Sequence, residues 1–160
     1  VLREYHAAMG EAILAHEGTL ERFTGDGMMI FFNDPVPVAD PAEGAIRMAL
    51  AKRGPERHLS IGWRKRGHDL ALGVGIAQGY ATIGAIGFEG RWDYGAIGTV
   101  TNLAARLCGE ARGGQILVSS RVAGVLEEVV DLEDVGPFTL KAFLNPVPVF
   151  NPRALRTPSP

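Results

Sequence analysis

The stretch TLERFTGDGMMIFF sets Asp26 between two glycines with an apolar run on either side. Asp-Gly in that setting closes a hairpin of two short strands. A second turn is predicted at Glu89-Gly90, where FEGRWDYGAIG supplies a returning strand. Two tight hairpins among irregularly alternating strands and helices favour an α+β fold, a sheet with helices packed on it.

The rest of the chain fits around these hairpins. From Val1 to Glu17, Leu2, Tyr5, Met9, Ile13 and Leu14 recur at helical spacing, and Gly18 is the expected stop. A domain that opens on a working helix is expected to have lost material before Val1. NDPVPVADP is a proline-rich loop, and Asp40 is the expected N-cap of a helix through PAEGAIRMALAKR with Pro41 at its first position. A further helical stretch is expected over 56–65. DLALGVGIAQGYATIGAIG reads as one central strand and then another after a bend near Gly79. A helix is expected over Val100 to Glu110, ended by Gly113-Gly114. QILVS is a short buried strand, SRVAGVLEEV a helix capped by Ser119 or Ser120, and PFTLKAF and VPVF are expected edge strands. The globular domain is placed at 1–150 and a disordered tail at 151–160.

The 160 residues, 46% hydrophobic and 21% charged, suffice for one domain with a sizeable core. The formal net charge is −2, and the basic residues are scattered apart from Arg64, Lys65 and Arg66, so a nucleic-acid partner is not expected. Cys108 is the only cysteine, which excludes an internal disulfide and any multi-cysteine metal site and suits a reducing, cytoplasmic compartment. No apolar run is long enough to cross a bilayer, although a longer parent protein could carry an anchor elsewhere.

Two features bear on chemistry. Asp26, a hard oxygen ligand on a rigid hairpin, suits a divalent cation, but a lone carboxylate is half a site, and Asp-Gly is also ordinary turn chemistry. Asn102 and Arg106 stand four residues apart in the apolar stretch WDYGAIGTVTNLAARL, one above the other on a helix face. Arg offers a planar fork suited to phosphate and Asn can orient a sugar oxygen; a solvated Arg and a capping Asn fit the same spacing. Cys108 is expected to be a small core residue, and the histidines at 6, 16, 58 and 68 to be surface residues without metal-ligand spacing. The glycines of GVGIAQG (Gly73, Gly75 and Gly79) lie within a strand and open no helix, so they are not a dinucleotide fingerprint.

Taken together, GDGMMIFF, GVGIAQGYATIGAIG, RWDYGAIGTVTNLAARL and GGQILVSSRV, in this order and spacing, closely resemble the class III nucleotidyl cyclase catalytic domain. The resemblance covers about residues 1–150 and implies a ferredoxin-like fold with an antiparallel-rich sheet. It implies an adenylate cyclase domain converting ATP to cyclic AMP and pyrophosphate, with two Mg²⁺ or Mn²⁺ ions and a head-to-tail homodimer whose sites form between subunits. Asp26 then matches the second metal-binding Asp, while Asn102 and Arg106 match the ribose-orienting and phosphate-stabilising pair from the other subunit. The first metal-binding Asp of the family lies before the helix at Val1, so the fragment alone is expected to be inactive or nearly so. Regulation is expected to come from an N-terminal domain outside this chain.

Three positions depart from the family pattern. The base-reading position usually Lys in adenylyl and Glu in guanylyl cyclases is Arg22, whose cation disfavours the donors of guanine. The other base-reading position is Gly95, which removes an acceptor for the adenine amino group and implies loose selectivity. The triphosphate Lys falls on Phe143, leaving Lys141 close by, or the Arg64 cluster as a substitute. The alternatives are a non-catalytic cyclase-like module that dimerises or binds nucleotide, favoured by Gly95, Phe143 and the missing first carboxylate, and a guanylate cyclase.

Overall fold

The computed structural model describes residues 2–24, 27–33, 39–52, 59, 61–67, 73–79, 82–88, 91–112, 115–141 and 143–155; of residues 2, 21–24, 27, 82–88 and 91–97 it describes the backbone. Helix α1 (Leu2–Ala15) leads into strands β1 (Thr19–Thr24) and β2 (Gly27–Phe31), followed by α2 (Pro41–Ala51) and β3 (Val74–Ile76). Then come β4 (Thr82–Phe88), β5 (Arg91–Ile97), α3 (Thr99–Glu110), β6 (Ile116–Ser119), α4 (Ser120–Leu126), β7 (Val130–Phe138) and β8 (Val147–Leu155). Residues 61–65 add a short helical stretch that ends in a turn.

Among the described residues the strands form a β1-β2 hairpin, a β4-β5 hairpin and a four-stranded sheet in the order β3-β6-β8-β7. Only β3 and β6 run parallel; every other described pairing is antiparallel. This is the α+β architecture read from the hairpin signals, with the antiparallel-rich sheet that the resemblance implies. The residues expected as turns lie outside the described ones, but the strand ends on either side are paired: Thr24 with Gly27 and Phe88 with Arg91.

Helices cover both faces of the four-stranded sheet, and the side-chain alternation of its strands explains how. On one face, Ala42, Ile46 and Ala49 of α2 and Val122, Ala123 and Leu126 of α4 pack against Ile116 and Val118 of β6 and Val130 of β7. On the other, Leu107 of α3 packs with Leu117 of β6, Val149 of β8 and Leu140. Successive strand residues point to opposite faces, so ILVS, with no polar partner until Ser119, is what a strand buried on both sides requires. In α2 the buried positions Ala42, Ala45, Ile46 and Ala49 follow the spacing of a helix with one face in the core. Ile46 is fully buried, so Ile46→Ala is expected to lower unfolding free energy by roughly 2–5 kcal/mol, through lost transfer energy and a residual cavity. Denaturant titration checks this through an unchanged slope and a lower midpoint.

Several expectations are corrected. Residues 151–155 are not a disordered tail: Val130 pairs with Leu155 and Asp131 with Ala154, and Arg153 bonds Glu133 at 2.8 Å. The segment VPVF is not an edge, because β8 pairs with both β6 and β7. Among the described residues of PFTLKAF only Pro137 and Phe138 belong to a strand, as the end of β7. The helix of SRVAGVLEEV stops at Leu126, which frees Val130 to begin β7. Asp40 and Ser119 hold N-cap positions without a side-chain cap hydrogen bond. Leu14, expected on the packed face of α1, is 81% exposed, whereas Met9 and Ile13 are buried.

Near α1, the buried Trp63 and the adjoining Arg66 fix the short helical stretch. The Arg66 guanidinium donates to both carboxylate oxygens of Glu4, at 3.0 and 3.2 Å. That hydrogen bond holds the Glu4 carboxyl below the usual carboxylate range.

Candidate active site

Helix α3 is built to bury one side and show the other. Gly98 precedes it, its carbonyl accepting from the Thr101 hydroxyl at 2.7 Å and from the Thr101 amide at 3.2 Å. Leu107 is fully buried, with Leu103 and Ala111 packed around the same cluster. Asn102, Ala105, Arg106 and Gly109 are exposed. A helical step of four residues stacks Asn102 and Arg106 on that exposed face, facing away from Leu107. Neither side chain has a hydrogen bond or ion-pair partner among the described residues. Arg47, Arg66 and Arg153, by contrast, are each engaged by a glutamate. The chain thus presents a guanidinium fork and an amide together on a rigid element, with their donors uncommitted.

The other candidate positions lie on different elements. Arg22 sits in β1 opposite Met29, immediately after a bulge between Leu20 and Arg22. Bulges of this kind re-aim the strand and recur beside functional sites. Gly95 in β5 pairs with Gly84 in β4, so neither strand carries a side chain at that rung. Asp26 lies outside the described residues; the strand ends that flank it, Thr24 and Gly27, are paired. Lys141 is exposed in the turn after Leu140. Phe143 packs against the cluster of Leu107, Leu117, Leu140 and Val149, and its amide donates to the Leu140 carbonyl at 3.1 Å. The position expected to bear a triphosphate cation is therefore an apolar anchor, leaving Lys141 as the nearby ammonium.

In the Arg64–Arg66 cluster, Arg66 is committed to Glu4. Cys108 is exposed and not a core residue, its Sγ donating to the Gly73 carbonyl at 3.6 Å. His6 and His16 are half-buried, not superficial, and His16 Nδ1 lies 2.9 Å from the Ala12 carbonyl; His58 and His68 lie outside the described residues. No group of three or more His, Cys, Asp or Glu capable of holding a metal occurs among the described residues. A groove of about 240 Å³ between α1 and the end of α2 is lined by Tyr5, Met9, Ala12, Lys52 and Leu59 and contains none of the candidate site residues.

The sequence matches the family of the adenylate and guanylate cyclase catalytic domain over residues 1–150. The chain belongs to this cyclase family. It is 32% identical over 139 residues to adenylate cyclase 1 of Rhizobium meliloti (strain 1021), covering 85% of this chain and 21% of that protein. It is 34% identical over 125 residues to an adenylate cyclase of Anabaena cylindrica, covering 76% of this chain and 24% of that one. The chain thus spans about a fifth to a quarter of the length of these curated relatives. Among solved structures, the adenylyl cyclase CyaB from P. aeruginosa superposes with a TM-score of 0.88 at 33% identity, over 97% of this chain and 81% of that one. The guanylyl cyclase Cya2 gives 0.79 at 30% identity, over 98% and 80%. The α+β architecture of this chain is that of the cyclase catalytic domains.

Membership of the cyclase family gives the exposed α3 pair its context. Asn102 and Arg106 lie on a face that nothing in the described chain covers, on the opposite side of α3 from the sheet. No helix of the described residues is long and apolar enough to cross a membrane.

Proposed function

We propose that this domain is an adenylate cyclase, forming 3′,5′-cyclic AMP and pyrophosphate from ATP in a homodimer whose sites combine residues of two chains. The observation that carries the reading is the exposed Asn102–Arg106 pair, uncommitted among the described residues, on α3. In this reading Asn102 of one chain fixes the ribose so that its 3′-oxygen lies in line with the α-phosphate. The 3′-hydroxyl loses its proton and bonds to the α-phosphorus, the bond to the β-phosphate oxygen breaks, and pyrophosphate leaves. Arg106 donates to the phosphate oxygens as charge builds on them, the main way a protein speeds such a transfer. Asp26 of the other chain would hold divalent metal. Two bound Mg²⁺ or Mn²⁺ ions would supply Lewis-acid activation of the 3′-hydroxyl and neutralisation of the triphosphate.

Arg22 is the adenine reader, able to donate to N1 of adenine but not to accept from the N1 and N2 donors of guanine. The side-chain-free rung at Gly84 and Gly95 leaves the second base contact unfilled, which loosens selection. Lys141 is the remaining triphosphate cation. The first metal carboxylate and the regulatory segments are assigned to sequence outside this chain, in a cytoplasmic protein; the greater length of the curated relatives supports that assignment.

The test is to offer ATP and GTP separately, with Mg²⁺ or Mn²⁺, to the longest natural form of the protein. Cyclic AMP from ATP, with specific activity rising as protein concentration rises through the dimer dissociation range, is the expected result. Preferential cyclic GMP formation would make this a guanylate cyclase. A second reading, a nucleotide-binding module without turnover, is favoured by Phe143 packing against the core cluster at the position where the resemblance implies a lysine; a folded dimer with no product from either nucleotide would establish it.

A further inference from the structure

Strand β3 meets α3 through glycines. In the order Gly73, Val74, Gly75, Ile76, the apolar residues Val74 and Ile76 turn to the α2–α4 face of the sheet. The alternate positions turn to α3. A methyl carbon added at Gly75 would lie inside the contact radii of the Ala104 carbonyl oxygen and the Cys108 backbone nitrogen, and 2.9 Å from the Leu107 carbonyl carbon. All three neighbours are backbone atoms, so no rotamer change relieves the overlap. At Gly73 an added methyl would stand 2.8 Å from the Ala111 Cβ and 3.1 Å from the Ala111 carbonyl oxygen. The turn of α3 that rests on Gly75, from Ala104 to Cys108, is the turn that carries Arg106 on its outer side.

We propose that Gly75, seconded by Gly73, is a positioning residue for the cyclase reaction: its bare backbone sets how deeply α3 sits on the sheet and thereby where Asn102 and Arg106 stand. The inference rests on the reading of that pair as half of an active site. Leu107 anchors the helix from the same side, so α3 cannot rotate away from a new methyl group without disturbing the cluster of Leu107, Leu117 and Val149. A side chain at position 75 lifts the helix instead. A displacement of about 1 Å at a transition-state contact costs about 100-fold in rate. Arg22 belongs to β1 and Asp26 follows it in sequence, on neither α3 nor β3, so the base-reading and metal half of the proposed site is expected to stay intact.

That separation supplies the test. Gly75→Ala is introduced into the longest natural form of the protein and co-expressed with Asp26→Ala. Alone, Gly75→Ala is expected to lose about 100-fold in kcat while still forming dimers. Paired with Asp26→Ala it is expected to regain about a quarter of wild-type activity, because half of randomly paired dimers are mixed and each mixed dimer holds one intact site of two. Paired with Arg106→Ala it is expected to regain nothing, since both defects fall on the same half.

Wild-type activity in Gly75→Ala, or a loss that Asp26→Ala does not restore, overturns the proposal. If Gly75→Ala does not fold, Gly73→Ala decides by the same mixing, with partial rescue expected from Ala111→Gly, which removes the opposing methyl. An Asp26→Ala and Arg106→Ala control run alongside separates the two readings. Failure of that control removes the two-chain site itself, whereas its success beside a silent glycine mixture removes only the positioning role.

Discussion

Arg106→Ala is expected to lower kcat by about 10²–10³-fold, the loss typical of removing one donor aimed at developing negative charge. The size of the effect follows from how little else Arg106 does. It is exposed and has no hydrogen bond or ion-pair partner among the described residues, so its truncation removes no packing and strands no buried partner. Surface substitutions of that kind change stability by less than about 0.5 kcal/mol. The melting temperature should therefore stay where it is while turnover collapses, and the loss is assignable to the transition state. Arg106→Lys keeps the charge but not the planar fork, and should recover only part of the rate. Steady-state kinetics beside a thermal melt checks all three statements. A drop in kcat accompanied by an equal loss of folded protein would mean that Arg106 is structural.

The second large effect is expected at Asp26. Asp26→Ala removes the one carboxylate assigned to metal in this chain, and metal supplies several kcal/mol of charge stabilisation in phosphoryl chemistry. At 1.4 kcal/mol per tenfold, the rate should fall by about two orders of magnitude or more. Unlike Arg106→Ala, this variant should shift the Mn²⁺ concentration needed for half-maximal activity, and Asp26→Asn should behave like Asp26→Ala because the amide keeps the shape but not the charge. Activity measured across a Mn²⁺ titration separates the two variants; an unshifted titration would assign the metal to other residues.

Much of the fold is legible in the sequence where a local signal is strong. Asp-Gly and Glu-Gly between apolar runs locate both hairpins, Pro41 marks the start of α2, and the helix expected over Val100 to Glu110 is α3 to within a residue. The errors arise where a segment's state is set by a partner far along the chain. Residues 151–155 carry an asparagine, an arginine and a proline, and look like a tail until Val130–Glu133 supplies the opposing strand. That opposing strand is hidden in turn, because LEEV continues a helical pattern which stops at Leu126. Cys108 reads as a core residue because its neighbours are apolar; which side of α3 meets β3 decides its exposure, and periodicity alone leaves that side open.

The candidate site is less legible. Asn102 and Arg106 engage no hydrogen-bond or ion-pair partner among the described residues, although Glu110 stands one helical turn after Arg106, so spacing alone leaves a phosphate-binding pair and a solvated helix face equally open. Only the ordered set of motifs, through its resemblance to a family, favours the first of these. In GVGIAQG the local signal is the pair Gly73 and Gly75, two residues apart, which marks a strand face where another backbone approaches closely. Phe143 shows the converse. The resemblance implies a cation at this position, whereas Phe143 packs against the cluster of Leu107, Leu117, Leu140 and Val149.

The most direct test of the two-chain adenylate cyclase is co-expression of Asp26→Ala with Arg106→Ala, each inactive alone. If Asp26 of one chain and Arg106 of the other serve the same site, the mixture should form cyclic AMP from ATP at about a quarter of the wild-type rate, from the single intact site of each mixed dimer. A mixture as inactive as its components, with mixed dimers demonstrably present, would contradict it and put both residues in the same chain's site or in none.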